Sequence, residues 1–250
     1  MIPLTPQQQH ARERLCLPLD NLNSLEEVRE RIIELKDYVG IFKVGKGSYT
    51  RFGPDIIRLV QSYDTKIFLD LKYHDIPATV KDACKAAAQL GVYIINIHAS
   101  GGLEMMKAAL EGIKEGTPQD KPRPYLIGVT VLTSIDDTTL NQQLHIPGSL
   151  NEHVLHLAQL TCQAGLDGIV CSAQDLIYIK PHLPKKFMYI TPGIQGVTTS
   201  AGTDQARIAT PSGAIAAGSS ILVVGRAITS PTTREARQHA AYEILKDMSK

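Results

Sequence analysis

Cysteine is scarce in this 250-residue sequence: Cys16, Cys84, Cys162 and Cys171 are widely spaced, with no C-x-x-C pair. That pattern suggests neither a disulfide framework nor a zinc module, and a reducing cytoplasm is the expected compartment. Charge of one sign is not in excess either, since 26 Lys and Arg face 25 Asp and Glu for a net charge of +1. No electrostatic footprint for nucleic acid or an anionic membrane is expected. No apolar run approaches the roughly 20 residues of a membrane span. The opening MIPLTPQQQHARERL lacks the apolar stretch of a signal peptide. There is no low-complexity tract, no linker, and no G-x-G-x-x-G after the first strand, which argues against a dinucleotide fold. What remains is 43% apolar and 20% charged residues. This ordinary globular composition predicts a soluble enzyme acting on small molecules.

Short β-type runs alternate with amphipathic stretches along the whole chain. Strands are predicted at 15–19, 40–44, 66–71, 92–98, 125–131, 168–171, 187–191 and 221–224. Thr5-Pro6 opens a short extra helix before the first strand. Ser24 with Glu27 reads as a capping box ahead of the apolar face Leu25, Val28, Ile32 and Leu35. Further helices are predicted from about Pro54, from about Pro77 until Gly91, and over 102–115, 150–164, 173–180, 211–217 and 231–248. Eight strand–helix units without a composition break predict one domain, residues 1–250, folded as a (β/α)8 barrel of the α/β class.

Barrel enzymes carry their chemistry at the C-terminal ends of the strands, and here those ends are charged. The first strand runs into Asp20 and the second carries Lys43. The third reads Phe68-Leu69-Asp70-Leu71-Lys72, followed by Tyr73-His74-Asp75-Ile76-Pro77. Strand alternation sends Leu69 and Leu71 towards the helices and Phe68, Asp70 and Lys72 into the barrel. Buried charges must be paired, and Lys43, Asp70, Lys72 and Asp75 are two cations and two anions that can pair alternately. A structural ion-pair cluster and a catalytic constellation both satisfy this pattern; the delivery of charge by consecutive strands at the catalytic end favours the second.

The last two units carry a second signal. Thr191-Pro192-Gly193-Ile194 follows the seventh strand, and Val224-Gly225-Arg226 follows the eighth. Loops at these places in barrels bind phosphate, with glycine permitting backbone approach and arginine donating in pairs. An ordinary turn with a surface arginine is the plain alternative. The segment 195–205 has the length and composition of a lid. His74 reads as packing or solvent-facing, and His98 as a structural histidine at the pocket border.

Asp70-Leu71-Lys72-Tyr73-His74-Asp75-Ile76-Pro77 closely resembles the D-x-K-x-x-D-I-P signature of the orotidine 5′-phosphate decarboxylase family. The likeness runs from about Leu15 to Leu245 and takes in Leu19-Asp20, Phe42-Lys43-Val44-Gly45, Leu132-Thr133-Ser134, Thr191-Pro192-Gly193-Ile194 and Val224-Gly225-Arg226. The resemblance implies decarboxylation of orotidine 5′-monophosphate to uridine 5′-monophosphate, the last step of de novo UMP synthesis, with no metal or organic cofactor. It implies that Lys72 stabilises and protonates the carbanion, that Asp70 faces the departing carboxylate, and that Asp75 holds Lys72. Lys43 would bridge Asp70 and a ribose hydroxyl, Asp20 would bind ribose, and Thr133 would read the pyrimidine. Pro192, Gln195, Gln205, Gly225 and Arg226 would hold the phosphate. Asp75, Ile76 and Thr79 would come from the second subunit of a homodimer with shared sites.

Two features depart from the family pattern. Gln195 stands where an arginine is usual, so a charge-assisted phosphate contact is lost. Pro18 removes a donor from the first strand. Two other readings remain open on the sequence. One is a sister enzyme on the same barrel that acts on a sugar phosphate with Mg²⁺ held by Asp20, Asp70 and Asp75, an arrangement Lys43 and Lys72 oppose. The other is a non-enzymatic barrel, which the presence of both Asp70 and Lys72 disfavours.

Overall fold

Strands of three to eight residues rich in Ile, Val, Leu and Phe, each followed by an amphipathic helix, can be buried on both faces only if helices cover one side. The computed structural model, which describes residues 2–196 and 209–250, achieves this as a closed parallel barrel in sequential strand order. Its strands are β1 (Leu15–Pro18), β2 (Ile41–Gly45), β3 (Lys66–Tyr73), β4 (Ile94–His98), β5 (Tyr125–Val129), β6 (Gly168–Val170), β7 (Met188–Thr191) and β8 (Ile221–Val223). β8 pairs back onto β1, so the sheet has no free edge.

The helices are α1 (Pro6–Glu13), α2 (Leu25–Leu35), α3 (Lys46–Phe52), α4 (Pro54–Gln61), α5 (Pro77–Gln89) and α6 (Gly102–Gly116). They continue as α7 (Leu150–Gln163), α8 (Leu176–Ile179), α9 (Pro211–Ala217), α10 (Arg226–Thr229) and α11 (Arg234–Met248). Local chemistry starts them where expected. Thr5 and Gln8 form a reciprocal capping box on α1, with Pro6 in the first turn. Ser24 caps α2 through the Glu27 N–H, but the Glu27 carboxylate takes the N–H of Asn23 rather than that of Ser24. Only half of the expected box therefore forms.

Other expectations need correction. β1 stops at Pro18, so Asp20 lies on the loop beyond it. The sequence predicts neither α3 nor α10, because each has a glycine at its N-cap and no side-chain cap. A π-helical turn, Thr139–Gln143, sits inside the predicted connection after β5. No helix among the described residues is long and apolar enough to cross a membrane.

Alternation along the strands sorts side chains into layers. Cys16, Ile41, Phe68, Ile94, Ile127, Ile190 and Ile221 form a separate apolar cluster inside the barrel. Their neighbours of opposite parity, such as Leu17, Phe42, Leu69, Ile95, Leu126 and Leu222, join the larger core under the helices. The apolar floor therefore fills the lower barrel, and the residues two positions further along each strand form the next layer up.

The pairing of α5 with α6 is unusually close. A Cβ on Gly112 or Gly116 would overlap the backbone carbonyl of Lys81 or Lys85. Glycine is needed there for backbone approach. Lys81, Lys85, Glu111 and Glu115 form an exposed ion-pair ladder over the same contact, of the kind that contributes little.

Candidate active site

Two residues above the floor, the strands present Pro18, Lys43, Asp70, Asn96, Val129 and Val223, and Pro192 follows directly on the end of β7. Two further on come Asp20, Gly45, Lys72, His98 and Gly225. A cavity of about 830 Å³ opens at this end of the barrel, within the size range of small-molecule sites. Asp20, Lys43, Asp70, Lys72 and Thr133 line it on one side. Pro192, Gln195, Gly225 and Arg226 line it at the ends of β7 and β8. An adjoining cavity of about 580 Å³ shares Lys43, Asp70 and Lys72 and is bounded by Lys46 and His98.

The charged residues form a chain of contacts. Lys43 Nζ lies 3.3 Å from Asp20 Oδ2 and 3.1 Å from Asp70 Oδ2. Lys72 Nζ donates to Asp70 Oδ1 at 2.5 Å. Gly45 makes room for this, since a Cβ there would lie 3.0 Å from both Asp20 Oδ1 and Lys43 Nζ. Burial alone would raise the Asp70 pKa. The ammoniums of Lys43 and Lys72 and the hydrogen bonds from Lys72 and Asn96 outweigh burial and hold the carboxyl below its ordinary value. Burial likewise opposes the charge on Lys43, but Asp70 and Asp20 overcome it and raise the Lys43 pKa.

Asp75 does not join this array within its own chain. It is exposed, and its Oδ1 accepts from the Ile76 N–H at 2.7 Å. The expected alternation of Lys43, Asp70, Lys72 and Asp75 is corrected accordingly: Asp20 takes the fourth place. The chain leaves the barrel mouth after Tyr73 to begin α5 at Pro77, which carries Asp75, Ile76 and Thr79 outward. All three are exposed, Ile76 to 66%, and none lines either cavity.

Gln195 sits where the ends of the β7 loop are pinned: its N–H donates to the Ala209 carbonyl, and the Ala209 N–H donates to Gly193. Most of the expected lid, including Gln205, lies outside the described residues.

Two residues near the charges were not assigned a site role from the sequence. Asn96, fully buried, donates to Asp70 Oδ1 at 2.7 Å and accepts from the Lys72 backbone N–H at 2.9 Å. Its signal was a lone amide in the apolar run Ile94-Ile95-Asn96-Ile97. His98 was read as a structural histidine at the pocket border, and it bounds the smaller cavity. Its ring lies 5.5 Å from that of His74, centroid to centroid. Burial, then His74, Lys46 and Lys72, push its pKa down to about 4, so it is neutral at pH 7.

Comparison with known proteins agrees with this geometry. Residues 13–240 match the orotidine 5′-phosphate decarboxylase / HUMPS family. The orotidine 5′-phosphate decarboxylase of Syntrophus aciditrophicus is 42% identical over 225 residues, 90% of this chain and 89% of its own. That of Vibrio cholerae is 52% identical over 187 residues, 75% of this chain and 79% of its own. The crystal structure of the Lactobacillus acidophilus orotidine 5′-phosphate decarboxylase matches with a TM-score of 0.81 at 36% identity, covering 94% of this chain and 98% of that one. With identity above 40% sustained across nine-tenths of its length, this chain belongs to the orotidine 5′-phosphate decarboxylase / HUMPS family.

Proposed function

We propose that the protein converts orotidine 5′-monophosphate to uridine 5′-monophosphate and CO₂ with its own side chains as the catalytic groups. The observation that carries this reading is the Lys72–Asp70–Lys43 array facing the cavity. Loss of CO₂ breaks the bond between C6 and the carboxylate and leaves the electron pair on C6. That charge has no ring electron sink, so a cation already in place is the largest available stabilisation. Lys72 supplies it and then transfers a proton to C6; the neutral amine recovers its proton from solvent. Asp70 orients the ammonium and faces the departing carboxylate. Lys43 and Asp20 hold the ribose hydroxyls, and Thr133 contacts the pyrimidine.

Phosphate binding falls to Pro192, Gln195, Gln205, Gly225 and Arg226. Remote binding of this kind is spent on orienting the reacting carbon. The carboxylates that could hold a divalent cation, Asp20 and Asp70, have the Lys43 ammonium between them, which favours a mechanism without one. The activity is assigned to the cytoplasm, as the low cysteine content suggests. Orotidine 5′-monophosphate absorbance is expected to fall, with uridine 5′-monophosphate as the product, when purified protein is added in the presence of EDTA. A folded protein that leaves the substrate intact, or needs Mg²⁺, would overturn the reading.

Each site is proposed to be completed by Asp75, Ile76 and Thr79 from a second copy. The exposure of an isoleucine beside a carboxylate at the mouth of the barrel supports this. Mixing Lys72→Ala chains with Asp75→Asn chains should restore activity that neither variant shows alone, because one site in the mixed dimer is then intact. Absence of complementation in a demonstrably mixed dimer would argue for self-contained sites.

Gln195 offers an amide to the phosphate in place of a guanidinium. Charge-assisted hydrogen bonds are roughly twice as strong as neutral ones. Gln195→Arg is therefore expected to lower KM about 5- to 10-fold with little change in kcat. An unchanged KM in steady-state kinetics would remove Gln195 from the phosphate site.

A further inference from the structure

The register between β3 and β4 shifts beside the charged array. Leu69 pairs with Ile95, and the next pair is Tyr73 with Ile97. Three residues of β3, Asp70, Leu71 and Lys72, therefore stand opposite the single residue Asn96. A regular ladder allows one, so β3 bulges and its backbone loses regular partners there. Lys72 takes φ of +49°, a left-handed conformation unfavourable for a residue with a Cβ. Its backbone N–H is satisfied by Asn96 Oδ1 at 2.9 Å instead of by a strand carbonyl.

A backbone N–H can only donate, so the Asn96 oxygen must face Lys72 and its NH₂ must face Asp70. That NH₂ donates to Asp70 Oδ1 at 2.7 Å, the oxygen that also receives Lys72 Nζ. One amide thus grips both the backbone of Lys72 and the carboxylate that holds its ammonium. Asn96 is fully buried and lines neither cavity.

We propose that Asn96 is a positioning residue that locks the β3 bulge, so that Lys72 and Asp70 are presented to the substrate in one fixed arrangement. The kinetic part of this proposal rests on the decarboxylase reading; the structural part does not. Among the described residues, the groups facing Asp70 are Cys16 from β1, Lys43 from β2, Lys72 from β3, and Asn96 and His98 from β4, with Asp20 beyond Lys43.

Two substitutions separate the effects. Asn96→Ala removes both contacts. Asn96→Asp, nearly isosteric, keeps an acceptor for the Lys72 N–H but sets a carboxylate against Asp70. When that carboxyl is protonated, its hydroxyl can donate to Asp70 as the amide did, and like-charge proximity raises the pKa at which this happens. Asn96→Ala should lower kcat about 10- to 100-fold, the scale of a misplaced catalytic group, while KM changes less than about 3-fold. Its deficit relative to wild type should stay constant as pH falls from 8 to 5, because the ammoniums of Lys43 and Lys72 still favour the ionised Asp70. The deficit of Asn96→Asp should shrink over the same range. A deficit of Asn96→Asp that shrinks towards low pH beside a constant one for Asn96→Ala supports the proposal; an Asn96→Asp deficit that is constant with pH, as a packing role alone would produce, overturns it.

A second measurement needs no turnover. In protein carrying ¹³C-labelled aspartate carboxyls, with the Asp70 resonance assigned through Asp70→Asn, the Asp70 titration midpoint should move up in Asn96→Ala. An unchanged midpoint overturns the proposal even if the wild type proves inactive on orotidine 5′-monophosphate, an outcome that would instead refute the decarboxylase reading. If Asn96→Ala does not fold, Asn96→Ser, which loses the reach to Asp70 while keeping a small polar group, takes its place in both measurements.

Discussion

Lys72→Ala is expected to lower kcat/KM for orotidine 5′-monophosphate by at least about 10⁴-fold. Two effects are lost together: a preorganised cation, whose removal costs roughly 10²- to 10³-fold, and a proton donor, which contributes roughly 10²- to 10⁴-fold. The fold should survive. Asp70 keeps Lys43 at 3.1 Å and the Asn96 amide at 2.7 Å, so no buried charge is left without a partner. Lys72 itself is a quarter exposed, and its loss opens no sealed cavity. The absorbance assay and a thermal unfolding curve on the same preparation check both halves. An activity within 100-fold of wild type in a folded variant would show that another group donates the proton.

Asp70→Asn should behave differently, because it damages stability as well as rate. It removes the one anion between two ammoniums and leaves Lys43 and Lys72 repelling each other across a neutral amide. Breaking a buried pair from one side costs about 3–5 kcal/mol. The lower end applies here, since solvent screens the partly exposed Lys72. The rate should fall by about 10³-fold, since a misdirected Lys72 loses both alignment and electrostatic preorganisation.

The stability difference should depend on pH with a definite sign. The Asp70 carboxyl is held below its ordinary value, so the native state binds fewer protons than the unfolded state near that value. Its contribution is present above an unfolded pKa of about 3.9 and is lost as pH falls through the folded pKa. Chemical denaturation should therefore show a wild-type advantage that is constant near neutrality and closes below about pH 4. A gap that persists unchanged at low pH would mean that packing, not charge pairing, accounts for the loss.

Much of this site follows from short-range rules. Strand parity alone places Phe68, Asp70 and Lys72 on one face, and Phe68 does join the apolar floor while Asp70 and Lys72 line the cavity above it. Lys43 is the inward neighbour of Ile41 by the same rule. Capping chemistry locates α1 and α2, where Thr5 and Ser24 each accept an N–H from the first turn. α3 and α10 are not legible in the sequence because glycines, Gly45 and Gly225, stand at their N-caps and no capping side chain announces the change.

The tertiary structure decided the partners. On sequence the expected fourth charge is Asp75, and the structure puts Asp20 there instead. Asp75 is excluded within one chain because the turn into α5 carries it outward, while closure of β1 against β2 brings Asp20 within 3.3 Å of Lys43. Asn96 is 24 residues from Lys72, and its role depends on a register shift between two strands. Alternation, periodicity and capping are written in neighbouring residues, so the sequence determined the barrel, its inward faces and the candidate charges. Which hydrogen bonds satisfy the backbone at the β3 bulge, and hence how Lys72 is aimed, depends on a strand brought alongside only when the barrel closes. That is a non-local property, and only the tertiary structure could decide it.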